Sequence, residues 1–161
     1  MLMTTFFIIL TVSVSLALTL PLLQNWFTKI EIFLLFMFTS YFCQNMFYTI
    51  SSPYDRISVV TEHFPFWTVR LQYGAVFAIT LLWLMAVYRS KATLFKKLLA
   101  TFSWILLGII VEKTFLFIGV LRSDSITWYP SLDMFFEMLV ILLTLYFSNF
   151  LYSTLKRERV I

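Results

Sequence analysis

An all-α, polytopic transmembrane helix bundle of about five spans is the fold class this sequence predicts. Three observations predict it. The chain has 161 residues, 61% hydrophobic and only 12% charged, against about 25% charged in an average soluble domain. Its apolar residues fall into five runs long enough to cross a bilayer, which takes ~20 residues at helical rise. Its lysines and arginines flank those runs instead of populating them. A soluble domain of this length has too little polar surface to cover so much apolar side chain.

The runs are Thr5–Leu23, Ile30–Ile50, Trp67–Tyr88, Leu98–Leu121 and Leu132–Tyr152. The opening "MLMTTFFIIL" has no basic region and no small-residue cleavage site, so the first run reads as a retained helix. Short polar links separate the runs: "QNWFTK", "SSPYDRISVVTEHFPF", "RSKATLFKK" and "RSDSITWYPS". Pro53, Pro65 and Pro130 fall in links, as helix breakers should, and Pro21 ends the first run. Trp26, Phe66, Trp67, Trp128 and Tyr129 crowd the run ends, where amphipathic rings sit at headgroup level. No repeat or linker divides the chain, so residues 1–161 read as a single transmembrane domain.

Orientation follows from the basic residues. Lys29, Arg89, Lys91, Lys96, Lys97, Lys156, Arg157 and Arg159 collect on one side, and Arg56, Arg70 and Arg122 on the other. The expected topology therefore has the N-terminus outside and the C-terminus cytoplasmic. The net charge of +4 is a topology signal of this kind, not a nucleic-acid footprint.

Composition also excludes chemistry. One cysteine, Cys43, provides neither a disulfide framework nor a thiolate metal site. One histidine, His63, cannot ligate a haem from both sides. It reads as a solvated loop residue, Cys43 as a small packing residue. Three glycines, Gly74, Gly108 and Gly119, make no phosphate cradle. No metal site is expected, and no cofactor bound by this chain alone.

The stretch "GIIVEKTFLF" breaks the pattern by placing Glu112 and Lys113 inside an apolar run. Glu112 lies nine residues from the outer end of its span, about 14 Å deep. A bare charge there costs at least ~2.5–3.5 kcal/mol on insertion scales. Helical spacing puts Trp104, Gly108, Glu112, Phe115 and Gly119 on one stripe, with two glycines that let another helix come close. Lys113 points about 100° away. In the fifth span Asp133, Glu137, Thr144 and Ser148 share a face. In the second, Tyr41, Gln44, Asn45 and Tyr48 do, and the third begins with Arg70, Gln72, Tyr73 and Gly74. Gln44, Asn45, Arg70 and Glu137 are expected to converge. Two readings stay open: a polar site or proton path opening outward, and an ion-pair lattice of Glu112–Lys113 and Arg70–Glu137 that sets helix register. The candidates are Glu112, Lys113, Glu137, Arg70, Asn45, Gln44 and Asp133.

Placed on these helices, "VEKTFLFIGVL" followed by "WYPSLDMFFEMLVILLTLYFSNFLY" resembles the end of the polysulfide-reductase membrane-subunit family (NrfD type). That ending has a Glu-Arg pair in an apolar helix, an outer loop, a Tyr-x-Pro-x-Trp-like turn and a long helix. "YFCQNMFYTISSPYDRI" and "LLWLMAVYRS" are similar to upstream family stretches. The likeness covers nearly all of this chain but about half of a family member, its second helical bundle. It implies a subunit that anchors an iron–sulfur protein, or sits beside cytochromes, and exchanges electrons with membrane quinone, with proton translocation as an associated expectation. The sequence departs from the family in three ways. Its pair is Glu112-Lys113. Gln44-Asn45 stands where the family has an acidic residue. The first bundle, which holds most of the family's quinone site, has no counterpart here. A second resemblance links "QYGAVFAITLLWLMAVY" to the third helix of the small five-helix membrane subunit of respiratory complex I. The partners implied are the lipid membrane, other membrane subunits and electron-carrying subunits. The location implied is a bacterial inner membrane, or a mitochondrial one under the second resemblance. A structural membrane protein or small transporter without redox partners is the alternative from another class.

Overall fold

The computed structural model describes residues 1–51, 57–123 and 130–158. Pro53, Arg56, Trp128, Tyr129 and Arg159, assigned above to loops, belt or orientation, lie outside them. Among the described residues five helices are long and apolar enough to cross a membrane.

Helix α1 (Leu2–Ala17) is an apolar run without glycine or proline. Its hydroxyls bond back to its own carbonyls, Thr11 to Phe7 at 2.8 Å and Ser13 to Ile9 at 2.7 Å. These hydroxyls are thereby satisfied without water. Pro21 ends the α-helical pattern, and the chain tightens into a 3-10 turn over Leu20–Asn25.

Helix α2 (Lys29–Ser51) opens on a capping box. The Thr28 N–H donates to the Glu31 carboxylate at 2.7 Å, and the Glu31 N–H donates to the Thr28 hydroxyl at 3.3 Å. The other Glu31 oxygen accepts from Arg89 at 2.7 Å. The Arg89 guanidinium lies over the rings of Phe27 and Tyr152, at 4.8 Å and 4.4 Å. Arg89, assigned from sequence to a basic link, thus joins the start of α2 to the ends of two other spans.

Helix α3 (His63–Arg89) is the centre of the bundle. Of its apolar window 61% is buried, against 11–33% for the other four. Pro65 sits in its first turn, where no intrahelical donor is needed. Gln72–Val76 widens into a π turn. A Cβ on Gly74, inside that turn, would run into the Gln44 amide, so the glycine admits α2 at close range. Three side chains tie α3 to its neighbours. Trp83 donates to Thr19 at 3.0 Å, Thr80 accepts from Trp104 at 3.0 Å, and the Tyr88 and Thr101 hydroxyls meet at 2.8 Å.

Helix α4 (Leu94–Ile118) starts at the Thr93 cap and ends at Gly119, whose φ of 82° is left-handed. The Val120 N–H reaches back to the Phe115 carbonyl and the Gly119 N–H to Leu116, a Schellman ending. Gly119 therefore stops the helix and does not extend the close-approach stripe expected of it; an added Cβ would meet nothing. Helix α5 (Pro130–Arg157) packs against α2 and α4. Phe38 and Phe147 stack at 4.1 Å across the α2–α5 seam.

The links after α2 and α4 are not purely irregular. Strand β1 (Ser58–Val59) pairs antiparallel with β2 (Leu121–Arg122), Ser58 opposite Arg122 and Val59 opposite Leu121. Around this ladder Phe47, Ile57, Val69, Phe115, Val120 and Leu121 form a small second core. Periodicity does not reveal two-residue strands, because they need a partner far along the chain.

Glu31 is only 2% exposed, so removing its cation leaves a buried carboxylate half-satisfied. Arg89→Gln is expected to lower stability by about 2–4 kcal/mol, read as an earlier unfolding midpoint in detergent. Lys91→Gln, at an exposed position with no side-chain hydrogen bond among the described residues, should leave the midpoint unchanged. An Arg89→Gln protein that unfolds with the wild type would show that the pair holds nothing together.

Candidate functional site

Helices α2, α3, α4 and α5 line a half-open cavity of about 50 Å³ toward the end where β1 and β2 pair. Helical spacing selects its lining. Helix α2 contributes Cys43, Met46 and Phe47, α3 Tyr73 and Phe77, and α4 Trp104 and Glu112. Helix α5 contributes Asp133, Phe136, Glu137 and Val140, one inward stripe.

Three carboxylates, Glu112, Asp133 and Glu137, therefore surround one small volume. Glu112 and Asp133 are buried. The Glu137 carboxylate rests against Gly108, where a Cβ would overlap it. Its Oε2 is buried without a hydrogen-bond partner among the described residues. Buried carboxylate oxygens are nearly always satisfied by protein, water, proton or cation. The volume has room for about three to five water molecules. One wall is a continuous aromatic rail: Phe47 stacks on Tyr73 at 4.2 Å, Tyr73 on Phe77 at 5.3 Å, and Trp104 meets Phe77 edge-on at 5.3 Å. Carboxylates between an aromatic wall and a few waters make a place where protons can be held or passed.

The structure divides the residues singled out from sequence. Glu112, Asp133 and Glu137 come together. Lys113 is exposed and does not line the cavity. Gln44, Asn45 and Arg70 line a separate groove between α2 and α3, with Tyr41 and Tyr48. The expected convergence of Gln44, Asn45 and Arg70 with Glu137 does not occur. The expected Arg70–Glu137 pair is not formed either; Arg70 lies over the Phe66 ring at 4.8 Å. Arg70 is on the exposed face of α3, and Glu137 faces the interior from α5, so the helix between them keeps them apart.

Other features escaped the sequence. Cys43, read as packing, is buried and also lines the cavity. Tyr73 and Phe77 are four residues apart and share a face, but that Phe47 and Trp104 from two other helices complete the rail depends on packing. The Glu31–Arg89 pair had a signal, the Thr-x-x-Glu box of "TKIE" before an apolar run. His63 is exposed in the first turn of α3, away from the cavity.

No family model matches this sequence, and no curated protein or solved structure matches it.

Gly108 tests the close approach. Gly108→Ala is expected to destabilise by about 1–3 kcal/mol through overpacking against Glu137. In a double-mutant cycle with Glu137→Ala, unfolding midpoints should show coupling of roughly 0.5–3 kcal/mol, because the second change removes the side chain that the first one strikes. Additive effects would place the Glu137 carboxylate elsewhere.

Proposed function

We propose that this chain is an integral membrane subunit of a quinone-linked redox complex and handles protons at the cavity between α4 and α5. The observation that carries this reading is the convergence of Glu112, Asp133 and Glu137 on one buried volume. Ionisable groups this deep in a span are costly and favour function. Cavity size separates two roles weighed for the site. Ligand pockets run to roughly 300–1,000 Å³, and this one is about 50 Å³. That favours protons and water here over a quinone headgroup, which would bind at an interface with a partner.

The redox assignment rests on the likeness of the last two spans to polysulfide-reductase membrane subunits. A chain with a single histidine and a single cysteine leaves the electron carriers to iron–sulfur or cytochrome partners. The eight-to-three bias of basic residues supports an outside N-terminus and a cytoplasmic C-terminus, and a bacterial inner membrane goes with the polysulfide-reductase likeness.

Extraction of native membranes in mild detergent, followed by a native gel and mass spectrometry, tests the partners. Iron–sulfur or cytochrome subunits are expected in the same band; a chain that migrates alone would overturn the redox reading. Within an assembled complex, Glu137→Gln and Glu112→Gln are each expected to lower proton-coupled activity by at least about tenfold. Normal coupled activity in both variants would leave the carboxylates a structural role only.

A further inference from the structure

The end of the bundle that carries most lysines and arginines has two adjoining grooves. The first is mixed polar and aromatic, about 590 Å³, and lies where the 3-10 turn, the start of α2 and the ends of α3 and α5 meet. Lys29, Arg89, Gln24 and Asn25 line it. The second is apolar, about 360 Å³, and runs between the end of α1 and the first turns of α2, along Leu20, Ile32 and Phe36. Gln24 and Lys29 line both, so the grooves adjoin at those side chains.

The packing of α1 explains the gap. Helix α1 lies against the first half of α3, whereas α2 lies against α5 and the rest of α3. The 3-10 turn bridges the two helices and leaves their facing surfaces apart beside it.

The charges in the polar groove are unbalanced. Glu31 is its one carboxylate among the described residues, and both its oxygens are engaged, by the Thr28 N–H and by Arg89. Arg89 gives a single N–H to Glu31, and no other hydrogen bond from its guanidinium is formed among the described residues. Lys29 makes no ion pair, and the Gln24 and Asn25 amides make no side-chain hydrogen bond, among the described residues. Two cations and two amides therefore line one groove with donors that no described residue takes up, and an apolar groove adjoins it. A phosphate suits the first and an acyl chain the second.

We infer that this composite groove binds one anionic phospholipid, its phosphate between Lys29 and Arg89 and one acyl chain between α1 and α2. The positions of the two halves match the ligand. Lys29 and Arg89 stand at the ends of apolar helices long enough to span, where headgroups would lie, and the apolar half is lined by residues further into α2. Bound so, the lipid fills the seam between α1 and α2 that protein side chains leave open.

The test uses the full chain in detergent and native mass spectrometry, with phosphatidylglycerol, phosphatidylcholine and inorganic phosphate as probes. Phosphatidylglycerol should be retained in preference to phosphatidylcholine, and Lys29→Glu should cut that preference about fivefold or more. Ala17→Trp, which fills the apolar half, should lower retention of both lipids without changing the fold. Equal retention of the two lipids by the wild type would overturn the proposal. So would a Lys29→Glu protein with unchanged preference. Inorganic phosphate that displaces phosphatidylglycerol at millimolar concentration would make this an anion site and overturn it as a lipid site.

Discussion

Helix α3 touches all four other spans, and the rest of the structure depends on how it is held. Hydrocarbon gives no hydrophobic driving force between helices, so packing and interhelical hydrogen bonds fix position. Along α3 these come at intervals: the Gly74 approach to Gln44, the Thr80 hydroxyl under Trp104, Trp83 on Thr19, Tyr88 on Thr101, and Arg89 on Glu31. Trp104, Trp83, Tyr88 and Arg89 each meet a polar partner far along the chain, where hydrocarbon offers none. The π turn belongs to the same arrangement. It shifts the helix register between Tyr73 and Phe77 and lets one helix present matched faces to α2 on one side and α4 on the other.

The two ends of the bundle solve different problems. At the basic end a capping box, an ion pair and two aromatic rings gather around one arginine. Glu31 serves the helix N-terminus and the guanidinium together, which offsets its burial from two directions. At the other end the links after α2 and α4 pair as a short ladder over apolar residues. Phe47 belongs both to that small core and to the cavity wall. Packing of these links and the carboxylate cavity therefore share a side chain.

The cavity concentrates acidic groups where the sequence suggested balanced pairs. Arg70 and Lys113 both turn toward exposed faces, and neither lines it. Long basic side chains can reach outward along a helix, whereas short carboxylates on an inward stripe cannot. The lattice reading loses its Arg70–Glu137 half on this geometry, and the polar-site reading gains a defined volume with an aromatic wall.

Composition and hydropathy were enough to determine the all-α class, five helices long and apolar enough to cross a membrane, and the inward stripes of α4 and α5, because a bilayer-length apolar run and the helical period are both local properties of the sequence. Local chemistry in "TKIE" and the glycine after α4 encoded a cap at one end and a stop at the other. Which stripe faces which was not encoded locally. The separation of Gln44, Asn45 and Arg70 from Glu137, the meeting of Arg89 with Glu31 58 residues away, and the groove between α1 and α2 all follow from the central place of α3. Helical period assigns residues to a face, but only the packed neighbours decide what that face meets.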